Sequence, residues 1–259
     1  AYGSSWAFWT PMVLEEHGLG SVPWTSHVPG LVGPMLAAVL VTGLVAGRGG
    51  LVQIVRSCCR CPPARWFGVA LSPLAFLAIA VLVTAPLTGL ARWSDLADFD
   101  GLPSSVGPIG VLLLLVVVNG FGEETGWRGF LQPTLQREVP VRRATLTVAA
   151  IWGLWHAPLF LLDTGLGEMP PAMIPVWAGA LTAGAVVLAW LHNHTSSVLA
   201  VAIWHGTYNW ATATGAAGAG VAALVTGGVI AVALVVVRRE PTLGVRARRP
   251  DQGASRSAR

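Results

Sequence analysis

Long apolar runs separated by short polar segments organise the chain from Val28 to Val237. The runs are Val28–Gly47, Trp66–Leu90, Val106 to about Gln136, Ala144–Leu162, Ala172–Leu191, Ser197 to about Thr212, and Ala213–Val237. About 20 apolar residues in a helix cross a bilayer, so the pattern predicts spans, the sixth a short one. Ala1–Leu14 is aromatic and apolar but brief, and reads as a partial span or an interfacial segment. The expected fold is all-α, a polytopic transmembrane bundle of about seven to eight spans. Its expected divisions are an N-terminal segment and connection (1–27), the bundle (28–237), and an arginine-rich, disordered tail (238–259).

Composition supports a membrane protein. Of 259 residues, 54% are hydrophobic and 11% charged, and the mean hydropathy is +0.64. Soluble domains carry about 25% charged residues. All 16 basic residues are arginine, and the net charge of +4 does not signal nucleic acid, because the arginines fall in loops and the tail. The basic segments at 48–65, at 137–143 and after 237 are expected in the cytosol. The acidic or uncharged segments at 92–105 and 163–171 are expected outside. That gives a multi-pass protein of a bacterial cytoplasmic membrane with a cytoplasmic C-terminus. No basic n-region precedes the first apolar segment, so no cleavable leader is expected.

The chemistry gathers in Asn119–Leu131, NGFGEETGWRGFL, within the third long span. Charges at membrane depth cost about 2.5–3.5 kcal/mol each, so they usually face the protein interior. Glu124 and Arg128 are four apart and can pair on one helix face. Glu123 points about 100° away and has no partner on its own helix. A paired acid supports structure, whereas an unpaired, desolvated acid can act as a general base. Gly122 and Gly126 form a small-xxx-small step against which another helix can pack. Pro133 is expected to bend the helix end.

Two later spans carry polar residues. His156 lies in IWGLWHAPLF, one turn after Trp152 and two residues before Pro158, which cannot donate to the carbonyl of Leu154. His205 and Asn209 are four apart in WHGTYN and share a face. Counted from their cytoplasmic ends, His156, His205 and Glu123 lie about 18, 12 and 20 Å deep. Similar depths are what one shared cavity requires.

Glu123-Glu124-Thr125-Gly126-Trp127-Arg128 fits EExxxR, Trp152 to His156 fits aromatic-xxx-His, and His205 to Asn209 fits HxxxN. In this order on successive spans they resemble the CPBP family, the type II CAAX prenyl endopeptidases and their bacterial relatives. The likeness covers Val106 to about Thr212. It implies an all-helical intramembrane protease. In that family's terms Glu123 activates water, His156 assists, His205 and Asn209 stabilise the oxyanion, and Glu124 with Arg128 gives support. The implied partners are a protein or peptide substrate and the lipid bilayer, with no nucleic acid.

Amide hydrolysis needs an activated water and donors aimed at the developing oxyanion, and these residue types supply both. No cofactor is expected on this reading. The alternative is zinc held by Glu123, His156 and His205, a carboxylate with two histidines. It would require Glu124 as base, which its pairing with Arg128 opposes. A transporter, or an immunity or scaffold protein on the same fold, is a further alternative, although residues 28–130 and 131–237 show no convincing repeat. Cys58, Cys59 and Cys61 read as reduced cytosolic thiols, and His192 and His194 as polar residues of a short loop.

Overall fold

A computed structural model describes residues 1–163, 165–218 and 220–245. Helix α1 is Tyr2–Glu16 and α2 is Gly33–Cys58, which follows a 3₁₀ turn at Val28–Val32. Short α3 (Phe67–Ala70) leads into α4 (Ser72–Thr88). The motif-bearing helix α5 is Ser104–Glu138. After it come α6 (Val141–Trp155), α7 (Ile174–Thr195), α8 (Val198–Thr212) and α9 (Val221–Arg239). No strand occurs among the described residues, only an isolated antiparallel bridge between Phe99 and Thr214.

The protein is an all-α, multi-pass membrane bundle. Among the described residues, five helical stretches are long and apolar enough to cross a membrane, and a sixth forms if the pair Ala64–Ala70 and Ser72–Thr88, bent by 44°, is one span. The sequence reading expects seven spans from Val28 onward. The difference is α8, which has 15 residues and rises about 22 Å, short of a 30 Å core. Helix α8 is instead the buried centre of the bundle. Val198, Ala200, Val201, Ala202 and Ala211 are fully covered, and Trp204, His205, Gly206, Thr207 and Trp210 are also buried.

Close backbone approach sets the helices around α5. A side-chain carbon added at Gly120 would lie 2.5 Å from the carbonyl oxygen of Ala202, and one at Gly206 would lie 2.7 Å from the Val116 backbone. This reciprocal pair of glycines seats α5 on α8. On the other side of α5, a carbon at Gly126 would lie 2.6 Å from the Pro34 backbone, and one at Gly122 3.2 Å from Val32. The small-xxx-small step therefore packs against the start of α2. Without side chains between them, the backbones bring their functional neighbours into reach.

Helix α1 is part of the core. Trp9 is fully buried, 4.8 Å from the Trp155 ring, and its N–H donates to the His27 carbonyl. Trp155 donates in turn to Ser5 Oγ, and Trp6 to the Trp155 carbonyl. Trp66 and Trp210, near the ends of their apolar runs, are also buried: Trp66 stacks on His194, and Trp210 donates to the Leu96 carbonyl.

The stretch at 192–196, expected as a loop, is helical to Thr195, and Ser196 then turns the chain at φ 50°. His194 bonds Glu240, and His192 is half-buried within electrostatic reach of Glu124 and Arg128. Neither is a free loop residue. Of the expected C-terminal tail, Arg238 and Arg239 end α9. Glu240 accepts from Trp190 and His194, and Leu243 is buried. Residues 246–259 lie outside the described residues.

Candidate active site

Two π-helical segments, Val116–Phe121 and Trp127–Leu131, bracket the α-helical turn Gly122–Gly126 within α5. A π turn widens the helix and rotates the residues beyond it, and such turns are frequent at functional sites. Pro133 follows the second one, and the helix continues to Glu138. A proline there cannot donate to the Gly129 carbonyl and its ring crowds that oxygen, so a widened turn accommodates it. The periodicity of the sequence did not disclose either segment.

Glu124 and Arg128 form the expected pair, with Nη1 donating to Oε1 at 2.8 Å and both side chains fully buried. The same Oε1 accepts from His205 Nδ1 at 2.8 Å. A carboxylate only accepts, so Nδ1 of His205 carries a proton and Nε2 is the ring atom left for other work. This tie joins residues 81 apart in sequence. Helix spacing could not reveal it.

Glu123 is 1% exposed and is not unpartnered, as its own helix suggested. Its Oε2 accepts from Trp152 Nε1 of α6 at 2.7 Å. The Trp152 indole is the hub of the site. The Arg128 guanidinium carbon lies 4.7 Å from its centroid, the His205 ring meets it at 5.3 Å in a T-shaped contact, and His156 lies 5.9 Å away. An aromatic face attracts a cation, so Trp152 steadies Arg128 while its edge holds Glu123.

Helix α6 ends at Trp155, with His156 as its cap and a 3₁₀ turn at Ala157–Leu161. Pro158 explains the stop, since it cannot extend the α-helical ladder. His156 Nδ1 lies 2.7 Å from the Trp152 carbonyl. The carbonyl can only accept, which leaves Nε2 of His156 with the lone pair in the neutral ring. Trp155 and Trp177 flank the ring in T-shaped contacts at 4.9 and 5.3 Å.

Asn209 lies half-buried one turn beyond His205 on α8. No hydrogen bond joins its side chain to the other site residues among those described. The structure therefore gathers Glu123, Glu124, Arg128, Trp152, His156 and His205, and leaves Asn209 beside them on the His205 face. Among the described residues no three histidine, cysteine, aspartate or glutamate side chains form a group able to hold a metal ion, and this includes Glu123, His156 and His205. Nδ1 of each histidine is engaged, by the Trp152 carbonyl and by Glu124, and one oxygen of Glu123 is held by an indole.

The model of the family described as type II CAAX prenyl endopeptidase Rce1-like matches residues 105–211. That interval holds every residue gathered above. Residues 105–211 are thus similar to the type II CAAX prenyl endopeptidases. A curated relative, CAAX prenyl protease 2 of Methanococcus maripaludis, is 27% identical over 148 residues, which are 53% of this chain and 54% of the relative. The chain thus spans about half the length of the curated relative it matches. The matched region begins at the start of α5 and ends at the close of α8, so α1 to α4 and α9 frame it from outside the match.

Proposed function

We propose that this chain is an intramembrane endopeptidase that hydrolyses a peptide bond with water activated by Glu123. The observation that carries the reading is the position of Glu123. It is buried beside the Glu124–Arg128 pair and held through one oxygen by Trp152, whose ring also meets His205. Oε1 of Glu123 takes a proton from water as the water oxygen attacks the scissile carbonyl carbon. His156 assists through Nε2. In the imidazolium form, His205 keeps Nδ1–H on Glu124 and turns Nε2–H to the oxyanion, with the Asn209 amide as second donor. Collapse of the tetrahedral intermediate breaks the C–N bond, and the proton held by Glu123 passes to the leaving amine.

The reading is metal-free, and the cavity opens to the cytosol. The family match and the name of the archaeal relative support a peptide ending in a prenylated CAAX sequence as the first substrate to try. The test uses purified protein in liposomes, a fluorescence-quenched farnesylated CAAX peptide, and a strong chelator. Cleavage that persists after chelation, without bound zinc, supports the reading. Stoichiometric zinc whose removal abolishes cleavage, and whose return restores it, would overturn the metal-free mechanism.

A further inference from the structure

The mechanism above leaves Asn119, a buried polar side chain of the motif helix, without a task. Asn119 is 5% exposed, and its Oδ1 has no hydrogen-bond partner. An unsatisfied buried acceptor is costly, about 1–3 kcal/mol, and needs a reason. Asn119 sits inside the first π segment, beside Gly120, whose backbone is pressed against Ala202 of α8. It is therefore fixed at the seam between the helix that carries Glu123 and the helix that carries His205.

The spacing to Glu123 matters. Four residues at about 100° each bring Asn119 within about 40° of Glu123, and the widened turn, with fewer degrees per residue, narrows the offset. Glu124 lies a further 100° round. Side chains four apart have Cβ atoms about 5–6 Å apart. A water bonded to two acceptors at about 2.7–2.8 Å each spans a comparable gap. Oε2 of Glu123 is taken by Trp152, which leaves Oε1 for that water.

We propose that Asn119 Oδ1 and Glu123 Oε1 together hold the attacking water, each accepting one of its hydrogens. This assignment rests on the peptidase reading and adds a catalytic residue to it. Two acceptors on the two hydrogens leave an oxygen lone pair free to point at the scissile carbon. Glu123 removes its proton in the step, and Asn119 keeps the other hydrogen and so fixes the direction of attack. The ionisable groups around this pair are Glu124 and Arg128 on the same helix, His205 on α8, His156 at the end of α6 and His192 on α7.

The experiment measures kcat, KM and the pH profile for cleavage of the farnesylated CAAX peptide in liposomes. It compares the wild type with Asn119→Leu and Asn119→Asp. Asn119→Leu keeps size and removes the acceptor. It is expected to lower kcat about 10²-fold, as misplacement of a reacting group does, with KM unchanged. Asn119→Asp keeps an acceptor and puts a second carboxyl beside Glu123. It is expected to retain part of the rate while its acid limb moves up by about one pH unit or more. Asn119→Leu within threefold of wild type, a rise in KM at constant kcat, or an Asn119→Asp profile that superimposes on wild type would each overturn the assignment. If the wild type itself cleaves nothing, the peptidase reading fails first and the water-holding role fails with it.

Discussion

Replacing Glu124 by glutamine should unfold the site, whereas the same change at Glu123 should not. Glu124 Oε1 receives two bonds of 2.8 Å, from Arg128 and His205, and Glu124 and Arg128 are both fully buried. Removing its charge strands a guanidinium in the bundle interior, a loss of about 3–5 kcal/mol when one partner of a buried pair is removed. At about 2–4 °C per kcal/mol for a domain of this size, the unfolding midpoint should fall by about 6–20 °C. Glu123→Gln keeps an oxygen that accepts from Trp152 and exchanges only a charged acceptor for a neutral one, at about 1 kcal/mol. The assay is thermal unfolding of both variants in one detergent, followed by intrinsic tryptophan fluorescence. A third variant, Glu124→Leu with Arg128→Met, removes both charges and should be more stable than Glu124→Gln alone. A Glu124→Gln midpoint within 2 °C of wild type, or a double variant less stable than the single one, would refute the reasoning.

Three further outcomes are expected. Gly126→Ala places a carbon about 2.6 Å from the Pro34 backbone and should lower stability by about 1–3 kcal/mol through overpacking, read by the same unfolding assay. Asn209→Ala should lower kcat about 10²–10³-fold, as loss of one oxyanion donor does, without changing metal content, read by peptide cleavage and metal analysis. His27, just before the first long span, is pushed below its ordinary value of 6.5 by burial, with Asp100 nearby acting in the opposite direction. The unfolded chain therefore takes up the proton first, and stability should fall as pH drops below about 6.5, a loss that His27→Asn should reduce. Unfolding midpoints of the two proteins between pH 7.5 and 5 check this.

The apolar runs disclosed the class of fold because long helices in lipid need little else to be recognised. The Glu124–Arg128 pair and the glycine step at 122 and 126 were legible for the same reason, since both are set by the spacing of one helix. The contacts of Glu123 with Trp152 and of Glu124 with His205 were not. They join α5 to α6 and α8, and no periodicity within one helix encodes a partner on another. The buried place of α8 was also hidden, because an apolar helix of 15 residues reads alike whether lipid or protein surrounds it. The π segments escaped because they keep the apolar pattern while changing the turn, and with them went the alignment of Asn119. His192 and His194 looked like loop residues because residues 192–196 are all polar, yet helix α7 carries no stop signal there and ends only at Ser196, whose backbone is left-handed.

The central claim is that Glu123 performs the chemistry in a site that remains folded without its charge. The most direct measurement is the single-turnover rate of Glu123→Gln on the farnesylated CAAX peptide, in liposomes, beside a wild type of matched unfolding midpoint. Loss of cleavage with the midpoint nearly unchanged is the result this account predicts. Cleavage at the wild-type rate by folded Glu123→Gln would contradict it.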